Sequence, residues 1–180
     1  IVRLVGSEMC IRDRGKALGA NIVGTVSTEE KAEVASAAGC HHPVVRSKES
    51  FVDKVREVSD GEGAAVVYEA IGKDTLQDSL DSLRNMGVCA AYGHVSGPPD
   101  PVDIIQDLGR RGSLFITRPA IMHYVAKRED LEWTARDLFK AIGDGILDAN
   151  INYEYALKDA VKAHEAIESG TTLGATVLIP

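Results

Sequence analysis

Hydroxyl and ammonium groups follow a short apolar run early in this 180-residue sequence, and together they could bind a phosphate. Thr25, Ser27 and Thr28 lie at the end of the run 22–26, and Lys31 follows one helical turn later. A helix that begins here adds free backbone amides and a partial positive charge. An acid at this point would accept the ribose hydroxyls of NAD, whereas hydroxyls and a cation suit the additional 2′-phosphate of NADP. The pattern favours NADPH over NADH.

The same residues also have a purely structural interpretation. Ser27 and Glu30 have the spacing of a capping box, so the hydroxyls of Ser27 and Thr28 could serve only as helix caps. Lys31 would then be a solvated surface lysine. Glu29 and Glu30 place two negative charges in the same turn, which opposes phosphate binding. Both interpretations stay open at the level of sequence.

Further candidates follow two other apolar runs. Residues 68–72 end one run with a glycine turn, so their backbone is expected to border a cofactor cleft. For Glu69 we favour a hydrogen bond to a neighbouring turn over catalysis, because buried polar groups are usually satisfied structurally. Gly93 permits close approach of the backbone to a ligand. His94 is expected to hydrogen-bond or to be solvated, and no residue is assigned as general acid or base.

The elements that position these residues alternate between short β-branched runs and helical patterns. This alternation predicts an α/β fold, a Rossmann-type doubly wound parallel sheet with helices on both faces. We predict a partial nucleotide-binding domain over 16–148 and a C-terminal segment of a catalytic domain over 149–180. The apolar strand 175–179 has no evident neighbour, so the terminal helix and strand are expected to return to a domain missing from this chain.

Residues 1–15 are predicted to be a non-native or irregular leader. Residues 7–14 have no clean helical or strand period, and this octapeptide resembles a translated sequencing-adaptor fragment. Residues 16–20 read as the last turn of a helix that should have begun earlier. The sheet is therefore expected to be truncated at its N-terminus.

Composition and charge exclude several classes of function. A hydrophobic content of 44% fits a globular domain with one real core. The net charge of -7 argues against nucleic acid as the main partner, because phosphate backbones need a basic face. No apolar run is long enough for a membrane helix, and no signal peptide is evident, so a cytoplasmic protein is expected. The three cysteines are far apart and predict neither a disulfide framework nor a zinc site.

Several motifs together resemble the zinc-independent quinone oxidoreductases related to zeta-crystallin, within the medium-chain dehydrogenase/reductase superfamily, which is alcohol dehydrogenase-like. The resemblance spans nearly all of 16–180. The motifs are KALGA at 16–20, GTVSTEEK at 24–31, VVYEAIG at 66–72, YGHVSGP at 92–98, GSLFITRP at 112–119 and VLIP at 177–180.

The resemblance implies hydride transfer from NADPH to a quinone or enone without a metal. It implies that Ser27, Thr28 and Lys31 hold the 2′-phosphate, that Arg46 stands where relatives often have a tyrosine, and that strand 113–117 joins two copies in a homodimer. It also implies that the glycine-rich turn and the substrate domain would lie before Lys16, so the fragment alone would be inactive. The remaining implied cofactor contacts are Ala70, Tyr92, Gly93, His94, Val95, Thr117 and Arg118.

Three other functions remain as alternatives. A short-chain dehydrogenase needs a Tyr-x-x-x-Lys pair, and after Tyr124 the lysine is Lys127 while Arg128 has the required spacing. A nucleoside-binding methyltransferase would have an acid where Thr25 and Ser27 stand. A non-catalytic dimerising fragment with a residual nucleotide pocket is the third alternative.

Overall fold

The computed structural model describes residues 2–5, 9–147, 151–169, 172 and 175–180. Strands and helices alternate along this part of the chain. The strands are β1 Val2–Val5, β2 Ile22–Val26, β3 His42–Val45, β4 Ala64–Glu69, β5 Leu83–Ala91, β6 Phe115–Thr117, β7 Ile151–Ala156 and β8 Ala175–Ile179. The helices are α1 Met9–Ala17, α2 Glu29–Ala37, α3 Phe51–Val58, α4 Leu76–Asp81, α5 Ile121–Tyr124, α6 Arg128–Gly143 and α7 Ala160–Glu168.

The first six strands form one parallel sheet in the order β3-β2-β1-β4-β5-β6. Parallel neighbours need crossover connections, and helices α1 to α4 provide the first four of them. The strand order reverses between β1 and β4, which is the arrangement of doubly wound dinucleotide-binding sheets. The predicted fold class is therefore confirmed.

The main core lies between the sheet and helices α3 and α4. Helix α3 begins at Phe51 because the Ser50 hydroxyl accepts a hydrogen bond of 3.2 Å from the amide of Asp53. Its apolar stripe packs on valines of the central strands, and each such side chain contributes about 1.5–3 kcal/mol by leaving water. The fully or nearly fully buried members of the core are Val23, Val44, Phe51, Val55, Ala64, Val67, Leu76, Leu80, Leu83, Cys89 and Leu114.

Two of the three cysteines are buried, as expected for small apolar packing residues. Cys89 belongs to the main core, and Cys40 packs with Ile22 in a smaller cluster. Desolvation by burial raises the pKa of the Cys40 thiol. These thiols are therefore structural groups.

The beginning of the chain differs from the sequence prediction. The predicted irregular leader, 1–15, contains strand β1 and most of helix α1. Strand β1 pairs in parallel with both β2 and β4, so it lies at the centre of the sheet and satisfies the facing backbone groups of both neighbours. A four-residue strand is too short to produce a recognisable sequence period. The origin of this segment stays a prediction.

Two further boundaries and one pairing were not foreseen. The predicted strand 113–117 begins only at Phe115, because Ser113 has a positive φ of 55° that is incompatible with an extended strand. Leu83 begins β5, although its spacing from Leu76 and Leu80 also fits one stripe of a helix. Strand β8 pairs in parallel with β7, so it has a neighbour within this chain, and the assignment of 149–180 to a catalytic domain stays a prediction. Pairings between distant segments leave no local mark in the sequence.

No helix in the described ranges is both long and apolar enough to cross a membrane.

Two histidines lie together at the amino-terminal edge of the sheet. The amide of Ile22 donates to Nδ1 of His41 at 3.1 Å, and Nε2 of His42 lies 3.0 Å from Oδ1 of Asn21. Partial burial lowers the pKa of His42 below 6.5, and the charges of His41 and Lys54 add to this effect. Just below that value, the unfolded chain binds more protons than the folded chain.

The pKa of an unperturbed histidine is 6.5. We therefore expect the free energy of unfolding to increase as the pH is raised towards this value from below. Replacing His42 with Gln removes the titrating group and should make this dependence shallower. Urea unfolding followed at several pH values measures the effect. The exposed His123 is the matched control, and equal slopes for His42→Gln and His123→Gln would contradict the assignment.

Candidate functional site

The residues singled out in the sequence gather at the carboxyl-terminal edge of the sheet. Because all six strands of this sheet are parallel, the segments that follow them leave at one edge. Ser27 and Thr28 follow β2, and Arg46 follows β3. The strand order separates these from the segments after β4, β5 and β6, so there are two groups with the switch point between them. The second group contains Ala70, Tyr92, Gly93, His94, Val95, Thr117 and Arg118.

Thr28, not Ser27, caps helix α2. The Oγ1 atom of Thr28 accepts a hydrogen bond of 3.3 Å from the amide of Lys31, so the predicted capping box of Ser27 and Glu30 is wrong by one residue. Capping uses an acceptor lone pair of the hydroxyl, and its proton remains able to donate. The capping role and the phosphate-binding role of Thr28 are therefore compatible.

Cations and acids lie together where β2 and β3 end. The amide of Arg46 donates to the carbonyl of Val26 at 3.1 Å, which holds Arg46 beside the start of the β2–α2 connection. Arg46 is exposed, while Lys31 in the first turn of α2 is half-buried. Glu29 forms an ion pair with Lys48, so one of the two acids that oppose phosphate binding is already neutralised.

Glu69 is buried completely at the end of β4 and collects four hydrogen-bond donors. Its Oε1 atom accepts from the amides of Ile71 at 2.7 Å and Gly72 at 3.2 Å, and from the hydroxyl of Thr75 at 2.8 Å. Its Oε2 atom accepts from the hydroxyl of Ser79. This is the hydrogen-bonding role that the sequence favours for Glu69.

The segments after β4 and β5 interlock through two glycines. A Cβ atom on Gly93 would lie 2.2 Å from the carbonyl oxygen of Ala70, and one on Gly72 would lie 2.6 Å from the carbonyl oxygen of Gly97. Gly93 was expected to admit a ligand, but its close contact is with the neighbouring strand end. Ala70 is only 8% exposed for the same reason.

Arg118 connects the ends of β5 and β6. Its Nη1 donates to the carbonyl oxygen of Tyr92, and its Nη2 lies 3.4 Å from Nδ1 of His94. Both Arg118 and His94 are exposed, as are Val95 and Thr117. The guanidinium group thus links the two loops and retains N–H groups that face solvent.

Three hydroxyl residues of this edge were missed in the sequence. Thr75 and Ser79 bind the Glu69 carboxylate. The hydroxyl of Ser96 donates to the carbonyl of Ile71 at 2.9 Å and accepts from the amide of Asp74 at 3.0 Å. Thr75 and Ser79 are spaced by four residues, which places them on one helix face, and this spacing beside a buried acid was the available signal.

Within the described ranges, no group of three or more His, Cys, Asp and Glu residues is arranged to hold a metal ion.

Comparison with known proteins identifies close relatives. A family model described as zinc-binding dehydrogenase matches residues 14–140. A 2-haloacrylate reductase from Burkholderia sp is 50% identical over 163 residues, which are 91% of this chain and 49% of that protein. A quinone oxidoreductase from Salmonella typhimurium is 41% identical over 167 residues, which are 92% of this chain and 51% of that protein.

Solved structures of proteins with the same names have a fold similar to that of this chain. A crystal structure of 2-haloacrylate reductase has a TM-score of 0.91 at 44% identity, and it covers 99% of this chain and 57% of its own. Escherichia coli quinone oxidoreductase complexed with NADPH has a TM-score of 0.90 at 35% identity, with coverage of 99% and 57%. The chain spans about half the length of the curated relatives it matches.

The close contact of Gly93 with the backbone of the neighbouring strand end can be tested by substitution. Gly93→Ala places a Cβ atom against backbone, so the loop must move, and we expect a loss of about 1–3 kcal/mol in unfolding free energy. Gly143→Ala is the control, because a Cβ atom there meets nothing within 4 Å. That control should leave stability unchanged or slightly raised. Chemical denaturation measures both variants, and equal stability of the two would refute the close contact.

Proposed function

Because this chain belongs to the zinc-binding dehydrogenase family, we propose that it binds NADPH at the carboxyl edge of its sheet and forms the nucleotide-binding part of a reductase. The reaction we propose is hydride transfer to a quinone or another electron-poor conjugated acceptor. Relatives named quinone oxidoreductase, and one such structure complexed with NADPH, support this proposal.

The preference for NADPH rests on the segment after β2. This segment offers a capping hydroxyl at Thr28, a second hydroxyl at Ser27 and the ammonium group of Lys31, all at the positive end of helix α2. Arg46 adds a guanidinium group from the neighbouring strand. No acid stands at the end of β2 to accept the ribose hydroxyls of NADH. These residues fit a 2′-phosphate.

The second group of residues has an orienting role in this proposal. When bound, the nicotinamide supplies the hydride, and the protein contributes binding and orientation. The loop Tyr92–Val95 and the Arg118 guanidinium form a wall at the ends of β5 and β6, held together by the bond from Arg118 to the Tyr92 carbonyl. Ala70 and Thr117 border this wall. None of these residues is proposed to transfer a proton.

Halogenated acrylates are a second candidate class of substrate. The 2-haloacrylate reductase is 50% identical to this chain, against 41% for the Salmonella quinone oxidoreductase. Quinones and 2-haloacrylates share a carbon–carbon double bond conjugated with an electron-withdrawing carbonyl or carboxylate group. Both are therefore electron-poor acceptors that NADPH can reduce by two electrons, the quinone to a hydroquinone and the acrylate to a saturated acid.

Strand β6 is the surface through which we propose that two copies associate as a homodimer. It is the last strand of the sheet order, and the side chain of Phe115 is 59% exposed. An open parallel edge with exposed apolar groups pairs readily with another strand.

The phosphate subsite predicts a selective effect of charge removal. Lys31→Gln combined with Arg46→Gln should raise the Kd for NADPH at least about tenfold, because charge-assisted hydrogen bonds to phosphate are lost. The Kd for NADH should change little. Titration of the protein followed by nicotinamide fluorescence gives both constants. Lys127→Gln combined with Arg128→Gln, at the start of α6, is the charge-matched control. A retained NADPH preference in the Lys31 and Arg46 double variant would contradict the proposal.

The reaction itself is tested in a full-length reductase that contains this chain as its nucleotide-binding part, by oxidation of NADPH with each class of acceptor. We expect turnover with a benzoquinone, with 2-chloroacrylate or with both, and the relative kcat/KM values assign the substrate class. Dialysis against a zinc chelator should leave the rate unchanged, since the reaction is proposed to need no metal. The active species should sediment as a dimer. Loss of activity after chelation, restored by zinc, would overturn the metal-independent reaction.

A further inference from the structure

The Glu69 carboxylate controls the shape of the turn that follows β4. Two of its four donors are consecutive main-chain amides, those of Ile71 and Gly72, and both bind the same oxygen, Oε1. Thr75 and Ser79 bind the carboxylate from the start of α4 and from one turn further along it. The carboxylate therefore joins the end of a strand, a turn and a helix at one buried point.

The turn after β4 also binds the loop after β5 through main-chain hydrogen bonds. The amides of Tyr92 and Gly93 donate to the carbonyl of Glu69 at 2.9 and 3.2 Å. The amide of Val95 donates to Ala70 at 3.3 Å, and the amide of Ser96 donates to Ile71 at 2.8 Å. Each residue from 69 to 71 thus holds at least one amide of the loop 92–96. The position of this loop depends on the position of the turn.

A buried carboxylate is an unfavourable choice for stability alone. Desolvation of the charge is costly, and well-packed apolar residues commonly stabilise a buried site as well or better. A carboxylate differs from them in accepting several hydrogen bonds at once from different directions. At Glu69 this ability is used on main-chain amides of the segment that borders the proposed cofactor site.

We propose that Glu69 is a positioning residue, which holds the loop Tyr92–Val95 in the conformation that binds the dinucleotide. This inference rests on the proposed function. Glu69 itself is fully buried and does not touch the cofactor. Its carboxylate holds the amides of Ile71 and Gly72, and the carbonyls of residues 69–71 in the turn so fixed hold the loop.

The test compares variants that differ in acceptor capacity. Glu69→Leu removes all acceptors at similar volume, whereas Glu69→Gln retains an oxygen for Ile71, Gly72 and Thr75. Thr75→Val removes one hydroxyl without altering charge, and it serves as a second variant if Glu69→Leu fails to fold. Val55→Ala is the control for lost stability, because Val55 is a fully buried core residue of α3 and not part of the segments at this edge.

Two measurements on the whole chain decide the outcome. Amide hydrogen exchange of residues 92–96 should accelerate at least tenfold in Glu69→Leu, or severalfold in Thr75→Val, beyond the change in Val55→Ala. The Kd for NADPH, obtained from nicotinamide fluorescence, should rise at least tenfold in Glu69→Leu and stay within threefold in Glu69→Gln. Rescue by Gln separates positioning from a general need for a folded core.

The possible failures are distinguishable. If the loop amides exchange as in Val55→Ala, or if NADPH binds normally while the loop is loosened, the positioning role is wrong although the proposed function stands. If the unaltered protein does not bind NADPH, the proposed function is wrong, and the role of Glu69 in cofactor binding is overturned with it.

Discussion

Parallel pairing of the strands is the constraint on which the rest of this structure depends. Each strand of the six-stranded sheet is hydrogen-bonded to neighbours that run in the same direction. The return connections must cross the faces of the sheet as helices or loops, and these bury the apolar side chains of the strands. All strand ends then meet at one edge. Residues as distant in the chain as Ser27 and Arg118 come to the same side of the molecule for this reason alone.

The edge itself has two regions with different physical character. After β2 and β3, exposed cations and hydroxyls surround the start of α2, and the interactions available are electrostatic. After β4 and β5, backbone meets backbone without intervening side chains, and the hydrogen bonds of one buried carboxylate organise the turn. The first region offers charge to an anion, and the second offers a rigid surface. A dinucleotide needs both kinds of contact.

Local chemistry made much of this fold predictable. Strands β2 and β8 have the predicted bounds because each is a mostly apolar run flanked by polar or turn residues. The family resemblance is confirmed by relatives named quinone oxidoreductase. The partner of β8, the contact between Gly93 and Ala70, and the group of donors around Glu69 could not be foreseen. They join segments whose proximity is set by the tertiary fold, and no local pattern encodes it.

The close backbone packing of the loops after β4 and β5 limits which substitutions this surface can accept. Gly72 and Gly93 leave no room for any side chain, so a substitution at either position disrupts the frame regardless of its chemistry. His94 and Val95, which follow Gly93 in the chain, are exposed. Mutations at these two positions can alter what the surface recognises while the backbone beneath stays in place. Substitutions at His94 and Val95 are therefore expected to be tolerated better than substitutions at Gly72 or Gly93.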